Sequence, residues 1–331
     1  MSVLSSIIDR SISGDFSSNV VNIRDHAFYS CNNLTSVSFP NVTNIRDYAF
    51  SYCDSLASVS FPNATNIDDD AFYSCNSLTD ISFPKVTHIG PDAFRSCNNL
   101  TSVSFPEVTN MGSGVFRECS NLTSVSIPKA RSIVMSDFNS CSKLASVSFP
   151  QVTGIGDDAF MSCSSLTDIS FPKATSIGYS AFQSCSSLTD ISFPEATNIG
   201  ISAFESCSNL TNISFPKATK IGSKAFRSCS SLTSVSLPNA TNIGFSVFES
   251  CSNLTSASLP KATIIGDGAF ESCSKLTTIY VGTESNEVCE LSDTAAIPSS
   301  VTDIYVPASL VESYKAATNW SSYADKIKAA S

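Results

Sequence analysis

The chain has 331 residues, of which 42% are apolar and only 15% charged, a balance that supports a packed core and excludes a disordered chain. Its formal charge of −10 argues against nucleic acid or an anionic membrane surface as partner, because both are held by a basic face. No apolar run approaches the roughly 18 to 20 residues needed to span a bilayer.

In chain order, Met1 to Arg10 has too short an apolar part, with charges on the wrong side, to read as a secretory signal. The expectation is either another route or a leader already removed. Residues 1–22 are expected to form an N-terminal cap, with Ile7, Ile8, Phe16, Val20, Val21 and Ile23 covering the open end of a stack of coils.

From there the chain repeats. Phe28, Phe50, Phe72 and Phe94 open a series of twelve phenylalanines spaced by 22 residues. Cys31, Cys53, Cys75 and Cys97 open a series of twelve cysteines, and Leu34 a series of twelve leucines. A strict period in this range, without insertion or deletion, means a solenoid of stacked coils. Within the coil that starts at Leu34, Leu34, Val37 and Phe39 alternate with Ser36 and Ser38, the period-2 mark of a strand with one buried face. Pro40 ends it, and Val42 to Ile45 forms a second extended piece. Gly usually follows (Gly90, Gly112, Gly156), as a bend prefers. Ala49, Phe50 and Cys53 then stand at i, i+1 and i+4, expected as one short helical turn that Asp47 or its counterparts could cap. The first strands of all coils are expected to line one continuous parallel sheet, along an axis of about 55 Å at the ordinary strand spacing.

The coil from Leu122 to Cys141 departs most from this pattern, with Ile127 for Phe, Arg131 for Thr, Val134 for Gly and Asp137 for Ala. Drift within a redundant array and a local kink or site are both open there. After Val281 the period breaks. Gly282 to Glu287 reads as a turn-rich connection, Val301 to Pro307 repeats the strand pattern, and Ala308 to Ala317 reads as a helix. Trp320, Tyr323 and Ile327 complete the apolar set of the tail.

Twelve cysteines in one column point the same way rather than at each other. They are read as a ladder of reduced, buried thiols, with alternate-pair disulfides and metal binding as weaker readings. Cys289 lies outside the column and is the candidate for a lone exposed thiol. Catalytic residues, cofactors and metals are not expected. The histidines His26 and His88 fall in polar columns, and no phosphate-binding glycine motif occurs. Asp68, Asp69 and Asp70, with Asp47 and Asp92, read as a solvated acidic patch rather than a calcium site.

The unit, as in Leu166-Thr-Asp-Ile-Ser-Phe-Pro172 followed by Ile177-Gly178 and Ala181-Phe182-Gln-Ser-Cys185, resembles the BspA-like, Treponema-type leucine-rich repeat. That resemblance covers about residues 20–282 and implies a curved solenoid with a role in adhesion or recognition, often at bacterial surfaces. The tail and the opening Ile7-Ile8-Asp9-Arg10 also look like leaderless proteins of gut Firmicutes and their prophages, which implies a virion location as an alternative to the cell surface. The expected organisation is a leucine-rich-repeat solenoid with a parallel β-sheet on one face and short helical turns on the other. Its parts are a cap at 1–22, twelve coils over 23–282, and a C-terminal cap over 283–331.

Binding is expected where columns vary. The column after the proline runs Asn41, Asn63, Lys85, Glu107, Lys129 and onward. A second holds Tyr29, Tyr73, Arg95, Arg117 and Met161, and a third holds Met135, Tyr179, Ile201 and Phe245. The third is expected to present four large apolar groups along one edge, as contact sites do. Folding of these groups down over the turn is the plainer alternative. The functional expectation is a non-enzymatic module for a protein or surface glycan, monomeric or weakly self-associating. A structural or host-recognition component of a phage is the alternative.

Overall fold

A computed structural model describes residues 11–12, as backbone, and 20–330. Ile7, Ile8 and Phe16 of the expected cap therefore lie outside the described residues. The chain forms two compact units, 1–171 and 172–331, and each is a parallel β-solenoid.

In the first unit, each coil carries two short strands separated by a proline turn. The first-strand column comprises Ser36–Ser38 and its counterparts. It runs in groups of three, three and two strands, not as one continuous ladder. Ser11–Ile12 adds to the first group, with Ser11 opposite Ser36. Val59 and Val125, on the last strands of the first two groups, are half-buried where Val37 and Val103 are buried. A neighbour that steps away uncovers them. The second-strand column pairs Asn22–Ile23, Asn44–Ile45, Asn66–Ile67, His88–Ile89 and Asn110–Met111 in one ladder, and Ser132–Ile133 with Gly154–Ile155 in another.

The alternation of side chains buries Leu, Val, Phe, Ile, Ala, Phe and Cys in most coils, as the period-2 pattern requires. Identical residues then stack on each other. Phe50 and Phe72 lie with ring centroids 5.1 Å apart and planes within 6°. The thiol of Cys75 donates to the carbonyl of Phe50 at 3.0 Å, and the same carbonyl accepts the amide of Cys53. A carbonyl oxygen has two lone pairs, so the column of small thiols satisfies groups that an alanine would leave half-used. All thirteen cysteines are free.

The segment expected as a helical turn is a row of β-turns instead. Between residues 46 and 53 the amides of Ala49, Ser51 and Cys53 bond three residues back, to Arg46, Tyr48 and Phe50. The intervening amides of Tyr48, Phe50 and Tyr52 bond to the next coil, at Asp69, Ala71 and Tyr73. Such alternation needs a left-handed residue in each full turn, and Tyr48 (φ 55°) and Tyr52 (φ 61°) supply it. Ala49, Phe50 and Cys53 still point inward. Their spacing suits both geometries, so only the hydrogen bonds distinguish them.

The second unit repeats this plan. Its second-strand column runs from Ser176–Ile177 through Glu290–Leu291, and its first-strand column ends in Thr278–Val281, Asp303–Val306 and Ile327–Ala329. The period does not stop after Val281. The coil lengthens, so that Thr302 bonds the carbonyl of Thr277 across 25 residues where other coils show 22. The expected helix is a short 3-10 turn at Ala308–Leu310 followed by an α-helix at Val311–Ala316.

Two expectations about single residues are overturned. Cys289 is buried because Tyr314 and Trp320 close over it. Its amide donates to the Tyr314 hydroxyl at 2.9 Å, and its carbonyl accepts from the Trp320 indole at 2.7 Å. Burial lifts its thiol pKa to about 12. The half-exposed thiol is Cys31, in the first full coil. Val21, expected to cover the open end, is itself exposed, whereas Ile23 is buried.

Candidate functional site

The variable column after the proline is accounted for by pairing between coils. Lys85 reaches Asn63 at 2.6 Å, Lys129 reaches Glu107 at 2.6 Å, and Lys217 reaches Glu195 at 2.7 Å. Parallel in-register stacking sets each residue beside its own counterpart, and like charges there would repel. Alternation of sign along this column is thus a packing requirement. Each exposed pair contributes about 0.2–1 kcal/mol.

The turn edge of the first unit is different. Tyr29, Tyr52 and Tyr73 follow one another, at centroid distances of 5.5 and 5.1 Å and with steep edge-to-face angles. His26 stacks on Tyr48 at 4.9 Å and meets Tyr29 at 5.5 Å. Arg95 extends the run over the Tyr73 ring at 5.6 Å. Tyr29, Tyr48 and Tyr52 all rank among the exposed large side chains, Tyr29 at 44%. Tyr48 and Tyr52 occupy left-handed positions that hold Ser, Asp, Lys or His in most other coils. Any side chain with a Cβ costs roughly 1–2 kcal/mol in that conformation, so the left-handed turn itself gives no reason for tyrosine at these positions.

Beyond Tyr73 the edge becomes ionic. Arg95 meets Glu118 at 3.5 Å, and Arg117 meets the same carboxylate at 3.3 Å. A 2.7 Å bond from the Ser96 hydroxyl, together with the two guanidiniums, holds Glu118 below the ordinary carboxylate range. Asp68 is engaged by Arg46 at 2.9 Å, and the Asp70 carboxylate nearby raises the pKa of the Tyr48 hydroxyl. Met161, at the end of this column, is half-buried, and Met135 is exposed.

The expected apolar edge in the second unit comprises Tyr179, exposed at 54%, and Phe245, with Lys224 lying 5.8 Å from its ring. Ile201 is half-buried, contrary to expectation. Of the residues singled out in the sequence, Tyr29, Tyr73 and Arg95 come together in one run, and Arg117 joins Arg95 through Glu118. Tyr48, Tyr52 and His26 were missed as its members. The available signal was local density, since four of the nine tyrosines fall between 29 and 73.

These coils match the model of the BspA type leucine rich repeat region over residues 12–123, 109–220 and 197–322. The chain belongs to this family. No curated protein matches it. Among solved structures, this BspA-type chain is similar to a leucine-rich repeat protein from Bacteroides ovatus, with 26% identity and a TM-score of 0.67, over 94% of this chain and 88% of that one. A leucine rich cell surface protein from Faecalibacterium prausnitzii is 27% identical, with a TM-score of 0.50 over 82% and 87% of the two chains. The pneumococcal vaccine antigen PcpA shares the fold at 17% identity and a TM-score of 0.50, over 97% and 89%.

Proposed function

We propose that this BspA-type protein is a non-enzymatic recognition module that holds a protein or surface glycan partner on its turn edge. The observation that carries the reading is the run Tyr29–Tyr52–Tyr73, exposed at Tyr29 and Tyr52 and half-buried at Tyr73, with His26 and Tyr48 packed alongside. Rings that touch one another present large contact area with little side-chain entropy left to lose, as anchors of interfaces do. The relative from Faecalibacterium is a cell surface protein, which supports a setting where such an edge meets other molecules.

The test is capture from bacterial surface extract by the wild type, by Tyr29→Ser/Tyr52→Ser/Tyr73→Ser, and by Tyr179→Ser/Phe245→Ser. Loss of a specific band in the triple variant, with an unchanged far-UV spectrum, is expected. Loss only in the double variant would move the surface to the edge of the second unit. Capture unaffected by either set overturns the reading.

A further inference from the structure

The outward position of the first strand is serine in coil after coil, from Ser38 to Ser258, and this face is flat and polar. At the last coils it changes. Ser258 stands opposite Tyr280, and Tyr280 opposite Tyr305. The two rings stack at 4.8 Å with planes within 15°. Tyr280 is 40% exposed, and the next residue on its other side is only the short Ser258.

The same place is where the coil lengthens. The extra residues form a loop that sets Thr283 and Glu284 beside Tyr280, and these line a cleft with Pro307, Ala308, Ser309 and Ala330. That loop is held in place. Gly282 has φ +58°, and a Cβ there would come within 2.5 Å of the Tyr314 hydroxyl, so only glycine passes over that buried ring. The amide of Glu284 donates to Pro260 at 2.9 Å, and that of Ser285 to Gly282 at 2.8 Å. Tyr314 is itself fixed by the Cys289 amide and by Trp320, 5.3 Å away. A cleft with fixed walls spends little of its binding energy on ordering.

We propose that this cleft is a binding site for a neutral hexopyranose unit. The ring face of tyrosine carries negative charge density, and the axial C–H face of a pyranose offers an apolar plane of weakly positive hydrogens to it. Glu284 accepts hydrogen bonds from sugar hydroxyls, and Thr283 and Ser309 either donate or accept. An aromatic ring set among a few polar groups in a concave site is what small-ligand recognition uses. Glu284 keeps Lys261 3.9 Å away as its counter-charge, so the cleft offers an acid no unpaired cation, and the net charge of −10 further disfavours uronic and sialic acids. The site lies in the second unit and does not depend on the tyrosine run of the first.

Saturation-transfer NMR on the full chain tests it, with methyl β-D-glucopyranoside, methyl β-D-galactopyranoside and N-acetylneuraminic acid as probes. Transfer to ring protons of at least one neutral glycoside, and none to the acid, is expected. Tyr280→Ser installs the residue that other coils carry at this position, so the fold is retained and affinity falls about tenfold. Glu284→Gln weakens binding by a smaller factor, and Tyr29→Ser leaves it unchanged. Absence of transfer to both neutral glycosides, transfer that survives Tyr280→Ser, or preference for the acid overturns the proposal.

Discussion

The interior and the turn edge of the same coils obey opposite rules. Inside, each residue stacks on its own copy: Phe204 lies between Phe182 and Phe226 at 5.2 and 5.5 Å, and is fully buried. Identity is favoured there because equal shapes stack at a constant step without voids. At the edge, identity is penalised for charges, and the chain alternates partners, as Arg227 does with Glu205 and Glu249. Where the edge repeats an aromatic instead, as in Tyr29, Tyr52 and Tyr73, neither packing nor pairing demands it. Edge residues that serve the stack can thus be separated from those that do not.

The largest effect should come from breaking the interior rule. Phe204→Ala is expected to cost about 3–5 kcal/mol, from lost burial and the cavity left between flanking rings. Urea unfolding measures it, and a loss below about 1 kcal/mol would mean that neighbouring rings collapse into the gap.

A natural breach of that rule sharpens the comparison. Asp137 is fully buried at a position held elsewhere by Ala or Val. One of its oxygens accepts from the Val134 amide at 2.8 Å, and the other has no partner. In other coils the amide at that position bonds the preceding coil, as Gly112 does to Ile89 and Gly156 to Ile133. The second-strand ladder of the first unit is interrupted at this point, between Asn110–Met111 and Ser132–Ile133. The ladder accommodates the unbranched Arg46 and Asp68 at this position, and stops at branched Val134. Asp137 takes up the amide left over, which gives the divergent coil a local step.

Burial pushes the Asp137 carboxyl well above the usual carboxylate range, with the Val134 amide offsetting part of that. A raised folded value means that its stability contribution is fully present below the unfolded value of 3.8 and is lost as pH rises through the folded value. Val134→Gly with Asp137→Ala restores the common pair and should stabilise the protein by about 1–3 kcal/mol near neutral pH. The gain should shrink as pH falls towards 4, and Asp137→Ala alone should gain less because it strands the Val134 amide. A pH series of urea unfolding curves checks all three. A gain that does not vary with pH would show that the carboxyl is not the source.

The smallest perturbation reads burial alone. A thiol reagent on native protein should label one cysteine of the thirteen, Cys31, and all thirteen in denaturant. Peptide mapping locates the label, and native labelling at Cys289 would contradict the Tyr314–Trp320 closure.

Most of the interior was legible, because an inward residue must be apolar in every coil and the period repeats that requirement twelve times. The edge was not. Variation in Lys129 and Glu107 looks the same in sequence whether it serves a partner coil or a ligand, and only the 2.6 Å contact assigns it. Cys289 looked exposed because it lies outside the column, while the groups that bury it come 25 and 31 residues later.

What the sequence determined by itself was the solenoid and its buried columns, since solvent exclusion acts on each residue according to its place in the period. Only the tertiary structure decided the rest. It turned an expected helical turn into left-handed β-turns, because amides there bond the next coil. It broke the strand ladders at particular coils, and gathered Tyr29, Tyr48, Tyr52 and Tyr73 into one surface. Hydrogen bonds and ring contacts between coils depend on which side chain meets which neighbour, and that is settled when the coils stack.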